Sequence, residues 1–483
     1  MHKIKKTNFI NPDFLLQNDL AVTLFHTVAK DLPIIDYHNH INPKDLSDNK
    51  KYNNLAQLWL AIDPYKHRLM RINGIAENDI TGKATDWEKF YQWACTLPKT
   101  VGNPLFHWSY LELKRVFGID EPLNERSASF IWHTCNEMLQ NDKYSIINLI
   151  KSWNVQLMST SDDLLDDLKL HQEVSRSYNN LDIRPSLRGD AMLAFDKPEY
   201  ATWLSLLANQ TNRSINHLVD YQEAILDKLD EFMAAGCLLA DHALDPDFYY
   251  ELPTEQVAAN FFKKILDKKT LNNVEILQLK SYLLSFLGKA YATKGLILQL
   301  HIGAQRETST RLKRLAGNFG GFACIGSSCD TDSLCRFMDS LEQAAQLPKM
   351  ILYTLNPADY EPLASLTGSF AEDGVPGKIQ FGPAWWYNDH YEGIEQHLKI
   401  LANYGVLSRF IGMTTDSRSP LSFSRHEYFR RILCNTIGVW VQKGLFPADL
   451  SLLSQLVKDI SFENANQWIL NQNTIYENSS IKS

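Results

Sequence analysis

Short apolar runs recur along this chain, and most are followed by a segment with helical spacing. The first is PIIDYHNH (33–40), in which Pro33 to Tyr37 are apolar apart from one acid, the pattern of a buried parallel strand. Seven more follow residue 150: WNVQLMST (153–160), DIRPSLR (182–188), GCLLADH (236–242), LILQLHI (296–302), MILYTL (350–355), KIQFG (378–382) and FIGMTTD (410–416). Between them lie amphipathic stretches such as 213–233 and 254–293. Eight strands alternating with helices predict an α/β protein, a (β/α)8 TIM-like barrel with right-handed crossovers.

Two regions depart from that alternation. Residues 13–31 place Leu15, Leu16, Leu20, Leu24 and Val28 near helical spacing, a lead-in helix before the first strand. From 43 to 150 the chain is rich in Trp, Tyr, Phe and Leu at helical spacing, punctuated by Pro, Gly and Asn. A structureless loop of that length is implausible, so this stretch reads as a helical insertion after strand one, its aromatic stripes serving packing. PYKHRLMRING (64–74) stands out within it. Its basic residues form either a solvated helix face or a lid that offers groups to an anionic substrate. One catalytic domain results: helix and strand one over 1–42, insertion over 43–150, remaining barrel over 151–472, and a polar tail over 473–483.

Composition narrows the function classes. With 483 residues, 45% hydrophobic and 22% charged, the chain suits a large globular domain. A net charge of −8 gives no basic field for nucleic acid or anionic membrane. No apolar run approaches the roughly 20 residues of a membrane helix. MHKIKKTNF lacks the apolar core of a signal peptide. Seven scattered cysteines, an odd count, point to reduced thiols in the cytoplasm. Cys324, Cys329 and Cys335 do not have the spacing of a zinc ribbon or knuckle.

Chemistry concentrates at the strand ends, where barrels of this kind keep their catalytic groups. His38 and His40 are two apart on strand one and therefore share a side. Strand two ends in Ser159, Thr160 and Asp162, strand three in Arg188, and strand four in Asp241 and His242. His301 closes strand five, Tyr353 and Asn356 lie at the end of strand six, and strand seven leads into Trp385, Trp386 and Asp389. Asp416 closes strand eight, with Arg418 two residues on. Three histidines and an aspartate at the ends of strands one, five and eight suit zinc or another divalent first-row ion.

This ligand pattern resembles that of the amidohydrolase superfamily, and within it the chain resembles the uronate isomerase (glucuronate isomerase) family. The motifs that carry the resemblance are DYHNHINPKDL (36–46), YKHRLMRINGI (65–75), NPLFHWSYLELKRVFGI (103–119), RPSLRGD (184–190), QLHIGAQR (299–306), PGKIQFGPAWWYND (376–389) and GMTTDSRSPLSFSRHEYFRRILC (412–434). The resemblance implies interconversion of an aldose uronate and its ketose uronate, D-glucuronate with D-fructuronate and D-galacturonate with D-tagaturonate. It implies one divalent ion, Zn2+, on His38, His40 and Asp416, with His301 at or near the site. It makes Tyr65 and Asp416 the paired catalytic base, Arg418 the group stabilising the enediol, and Arg188 the clamp on the substrate carboxylate. Trp385, Trp386, Asp241, His242 and His67 complete the substrate-binding set. Departures from the family pattern are Pro64 for its usual histidine, His67 for a tryptophan and Ala243 for a glycine. STSDDL (159–164) stands for TTDDP, and CIGSSCD (324–330) strays from an acidic segment. Two other classes stay open: a metal-dependent hydrolase of the superfamily, and a silent sugar-acid-binding homologue. The absence of a histidine after strand six, which ends YTLNP, argues against a two-metal hydrolase. The oligomeric state stays open, a homo-oligomer included.

Overall fold

The computed structural model describes residues 9–178, 181–318 and 320–470. The polar tail expected at 473–483 and most of the basic N-terminal segment lie outside the described residues. The described residues form eleven strands: β1 (Ile34–Asp36), β2 (Val155–Ser159), β3 (Asp162–Asp163), β4 (Asp182–Arg184), β5 (Leu187–Arg188), β6 (Leu239–Leu244), β7 (Ile297–Ile302), β8 (Ala304–Gln305), β9 (Cys324–Ile325), β10 (Met350–Thr354) and β11 (Ile379–Phe381). Two parallel sheets, β1-β2-β4 and β11-β10-β7-β6-β5-β3, form the wall, and β8 pairs antiparallel with β9. Helices separate the wall strands, so the architecture is α/β and TIM-like.

Seven of the eight expected runs form ladders, with interruptions that have local causes. The 182–188 run splits into β4 and β5 at Pro185 and Ser186; proline offers no N–H to a ladder. Backbone bonds from Thr160 N to Arg184 O and from Asp162 N to Ser186 O carry the wall across this corner from one sheet to the other.

The eighth run departs from the expectation: 410–416 is no strand, and the ladders do not close into one continuous barrel. Gly412 has φ +77° and Asp416 has φ +46°, both outside the strand region. Side chains replace the ladder. His38 N donates to Thr414 Oγ1 at 2.9 Å, and the Tyr37 hydroxyl donates to Gly412 O at 2.8 Å. Buried Asp36 accepts from Thr415 N at 2.6 Å, Thr415 Oγ1 at 2.7 Å and Asn39 Nδ2 at 2.8 Å. Two backbone bonds, Asp416 N to His38 O and His40 N to Ser417 O, complete the junction with the end of β1. On its other flank Gln380 of β11 donates to Arg409 O.

Between Pro43 and Ser152 the described residues form helices and no strand. Trp59, Trp93, Trp108 and Phe90 from this stretch are fully buried, so its aromatic stripes are packing groups. The lead-in helix is shorter than its pattern, running over Asp19–Leu24 and continuing as a π-turn through Ala29. No helix among the described residues is long and apolar enough to cross a membrane.

Candidate active site

A cavity of about 280 Å³ opens over the strand ends. His38 and His40 follow β1 with their imidazoles facing the Asp416 carboxylate, at 3.4 Å and 2.9 Å from its Oδ1. Their ligand-capable atoms and one of Asp416 all lie within 4.8 Å of one another, a cluster able to hold a divalent metal ion. The left-handed backbone at Asp416 turns its carboxylate onto the two imidazoles. Trp385 donates its indole N–H to the other oxygen, Oδ2, at 2.6 Å. Burial works against the Asp416 charge, but hydrogen bonds from His38 and His40 hold its carboxyl well below the usual range. Burial pushes His40 down to about 4, which leaves it neutral, the form a metal needs.

His301, at the end of β7, lines the same cavity but lies outside the three-residue cluster. Its ring stacks on Tyr353 at 4.6 Å between centroids and lies 4.6 Å from that of His38. Its Nδ1 is 3.7 Å from Asp241 Oδ1, and its buried Nε2 has no hydrogen-bond partner among the described residues. Burial pushes Asp241 up to about 6. A buried imidazole nitrogen without a partner, beside two imidazoles and a carboxylate, is a donor set suited to a cation.

Tyr65 enters from the insertion. Asp63 caps the helix Pro64–Ile72, its side chain accepting from Tyr65 N and Lys66 N. Pro64 occupies the first helical position, where its fixed φ and missing N–H suit a helix start. The departure at position 64 therefore leaves the tyrosine in the cavity wall. Its hydroxyl donates to Asp389 Oδ2 at 2.9 Å, and Asp416 lines the same cavity. The basic residues of the same helix do not line the cavity. Lys66 pairs with Asp63, Arg71 with Glu77, and Arg68 donates to Ala323 O. They tie the helix down instead of forming an anion-binding lid.

Arg188, Arg418, Asp241, Trp385 and Trp386 line the cavity as expected, as do Arg306 and the ion-paired Glu307 and Lys313. Arg188 Nε donates to Asp190 Oδ2 at 3.1 Å. Two residues of the expected substrate set are elsewhere. His242 is fully buried and its Nε2 bonds the Tyr291 hydroxyl at 2.8 Å. It alternates with Asp241 and Ala243 along β6, and those two are the ones that face the cavity. The imidazole occupies the space a Cβ on Gly189 would need, 2.0 Å away, which accounts for glycine after Arg188. His67 is also buried and bonds Leu60 O at 2.7 Å, inside the insertion. It does not line the cavity.

Asp389 and Arg425 went without a role on sequence grounds. The signal for Asp389 was its place after strand seven; Arg425 carried none, because its partners are remote in sequence. The Arg425 guanidinium lies over the rings of Tyr65 and Trp108, at 5.2 Å and 4.2 Å, and donates to Thr415 O.

Comparison with known proteins matches this geometry to one family. The family model described as glucuronate isomerase matches residues 6–469. The chain is 44% identical to the uronate isomerase of Caldanaerobacter subterraneus subsp. tengcongensis, covering 95% of this chain and 99% of that one. It is 42% identical to the uronate isomerase of Haemophilus influenzae, with 95% and 99% covered. Among solved structures, uronate isomerase from Thermotoga maritima superposes with a TM-score of 0.90 at 31% identity, covering 96% of this chain and 100% of that one. Histidines at the end of β1, an aspartate turned onto them from the far end of the chain, and agreement along nearly the whole sequence converge: this chain belongs to the glucuronate isomerase family of aldose–ketose isomerases.

Proposed function

We propose that this protein interconverts D-glucuronate with D-fructuronate and D-galacturonate with D-tagaturonate, moving a proton between C2 and C1 through an enediol. The observation that carries this reading is the meeting of Tyr65, Asp416, Arg418 and Arg188 around one small cavity. Tyr65 takes and returns the proton, with the Asp416 carboxylate beside it in the cavity wall. Arg418 stabilises the charge that develops on the enediol oxygen. Arg188 holds the substrate carboxylate, a role suited to a planar guanidinium fork. Trp385, Trp386 and Asp241 shape the sugar pocket. His38, His40 and Asp416 would hold one divalent ion, zinc by donor type, with His301 beside it; when bound, the ion supplies a Lewis acid for a substrate oxygen. No nucleic acid or membrane takes part in this reading. The seven free cysteines support a reducing compartment, the cytoplasm.

Incubation with D-glucuronate and with D-galacturonate, followed by assay for ketose, tests the activity. Ketose should form from both, and none should form from neutral hexoses. In heavy water, deuterium should enter C1 or C2 if the base exchanges with solvent. Tyr65→Phe should lower kcat by about 10²–10⁴-fold with a smaller effect on KM, the usual weight of acid–base catalysis. Near-full kcat in that variant would leave Asp416 alone as the base.

A further inference from the structure

Tyr65 is a poor base by itself. Burial and the neighbouring Asp389 carboxylate push its phenol well above the ordinary value, so it carries its proton at rest. To take a proton from carbon it must release its own at the same time. The group within reach is Asp389, whose Oδ2 accepts the phenol hydrogen bond at 2.9 Å.

Asp389 itself is an uneconomical residue to bury. It is 4% exposed, and its Oδ1 has no hydrogen-bond partner among the described residues. Its nearest cation, Arg425 Nη1, lies 3.8 Å from Oδ2 and is spent on Thr415 O at 2.9 Å. A purely structural buried carboxylate is normally satisfied on both oxygens or firmly paired. This one is held rigidly all the same. Asn388 N bonds Trp385 O, and Asn388 Nδ2 bonds Leu355 O. The following helix, Tyr391–Tyr404, packs so closely that a Cβ on Gly393 would lie 2.1 Å from Asn388 O. The groups around the carboxylate are Tyr65 from the insertion, Arg425 and Tyr428 from the helix Ser424–Gln442, Asp416 from the 410–417 segment, and Tyr360.

We propose that Asp389 is the positioning residue of the reaction, orienting the Tyr65 phenol and taking its proton as Tyr65 takes one from the sugar. This rests on the uronate isomerase reading above. The C2–H bond breaks and its electron pair forms the C1–C2 double bond. The carbonyl pair moves onto O1, where Arg418 faces the charge. The carbon's proton passes to the Tyr65 oxygen, and the phenol proton passes to Asp389 Oδ2. A proton shifts from O2 to O1. Reversal at C1 returns both protons, so Tyr65 and Asp389 end as they began and no further reactant is needed. Burial pushes Asp389 up to about 6, so the accepting form is present at neutral pH and is lost below that value.

D389N tests this, because an amide oxygen still accepts the phenol hydrogen bond but does not take its proton. Expected is a kcat lowered by about 10²–10⁴-fold, matching Tyr65→Phe, with KM within about threefold. The acidic limb of kcat near pH 6 should vanish, and the Tyr65→Phe, D389N double variant should be no worse than either single one. Retained kcat overturns the proposal, and so does lost kcat with the acidic limb intact. A second measurement needs neither substrate nor variant: 3-fluorotyrosine placed at position 65 of the wild-type protein. Its fluorine shift should titrate near pH 6 as Asp389 ionises; a flat shift between about pH 5 and 8 overturns the proposal. If the wild-type protein makes no ketose while that shift titrates, the reaction assignment fails and the Tyr65–Asp389 coupling stands.

Discussion

Trp385 donates to Asp416 Oδ2, while the two imidazoles lie at Oδ1. Such bonds orient a ligand and tune its basicity, and their loss typically weakens metal binding by about 10–100-fold. Trp385→Phe keeps the ring and removes the bond, so competition against a chelator should show a loss of about that size. Equal affinity would mean the indole only fills space. Arg188 calls for a more modest expectation than a deeply buried clamp. It is already bonded to Asp190, and its side chain is 32% exposed. Arg188→Met should raise KM for uronates by an amount worth about 2 kcal/mol, the low end for truncating one partner of a charge pair. Steady-state kinetics on a uronate beside its neutral hexose checks this; equal activity on both sugars removes the clamp.

The element that behaves least as its pattern suggests is 410–417. Its apolar run and glycine read as a strand, yet positive φ at Gly412 and Asp416 excludes a ladder. Asp36 substitutes for that ladder, and the bonds it accepts keep its carboxyl below the ordinary value although burial pushes it up. The linkage has a definite sign. A depressed folded pKa contributes stability that is fully present above the unfolded value near 3.9 and is lost as pH falls through the folded one. Asp36→Asn should therefore cost at least about 1.5–3 kcal/mol at neutral pH, the worth of a hydrogen bond to a charged group. Denaturant melts at pH 7 and pH 3 should show this difference shrinking in acid; a constant difference would point to packing alone. Gly412→Ala is a second probe. The added Cβ would lie 2.1 Å from Ile460 O at a φ that favours glycine, and strain of that kind costs about 1–3 kcal/mol.

On the scale of the molecule, the candidate metal cluster joins residues that are hundreds of positions apart in the chain. An ion that binds only the folded state raises stability by about 2.7 kcal/mol when its free concentration is 100 times Kd. Chelation should lower Tm, and zinc should restore it. His38 sharpens that expectation. Burial opposes its charge, but Asp416 and Asp241 raise its pKa above the ordinary value, so metal and proton compete for it. Affinity should fall as pH drops from about 8 to 6 with protons released on binding, measurable by titration in two buffers of different ionisation heat. His38→Ala with His40→Ala should abolish both effects, and an unchanged Tm on chelation would remove the metal from the fold's stability.

Much of this was legible in the sequence, and the reason is that side-chain direction along an element is a local property. Alternation with period two places His38 and His40 on one side of their strand end without reference to anything else. The same rule separates Asp241 from His242, so the assignment of both to the substrate was avoidable. Apolar runs of strand length revealed the wall because burial on both faces leaves that mark wherever it occurs. What tertiary structure alone decided is which remote groups meet. His67 and His242 look like ligands by type, yet each is satisfied by one neighbour, Leu60 O or the Tyr291 hydroxyl, that no spacing reveals. The eighth run lost its ladder to a carboxylate at Asp36, far away in the chain. Tyr65 found Asp389, 324 residues on, because the helix that Pro64 starts has its first residues in the cavity wall. Local sequence determines what each element presents, and only the packing of the whole chain determines what it is presented to.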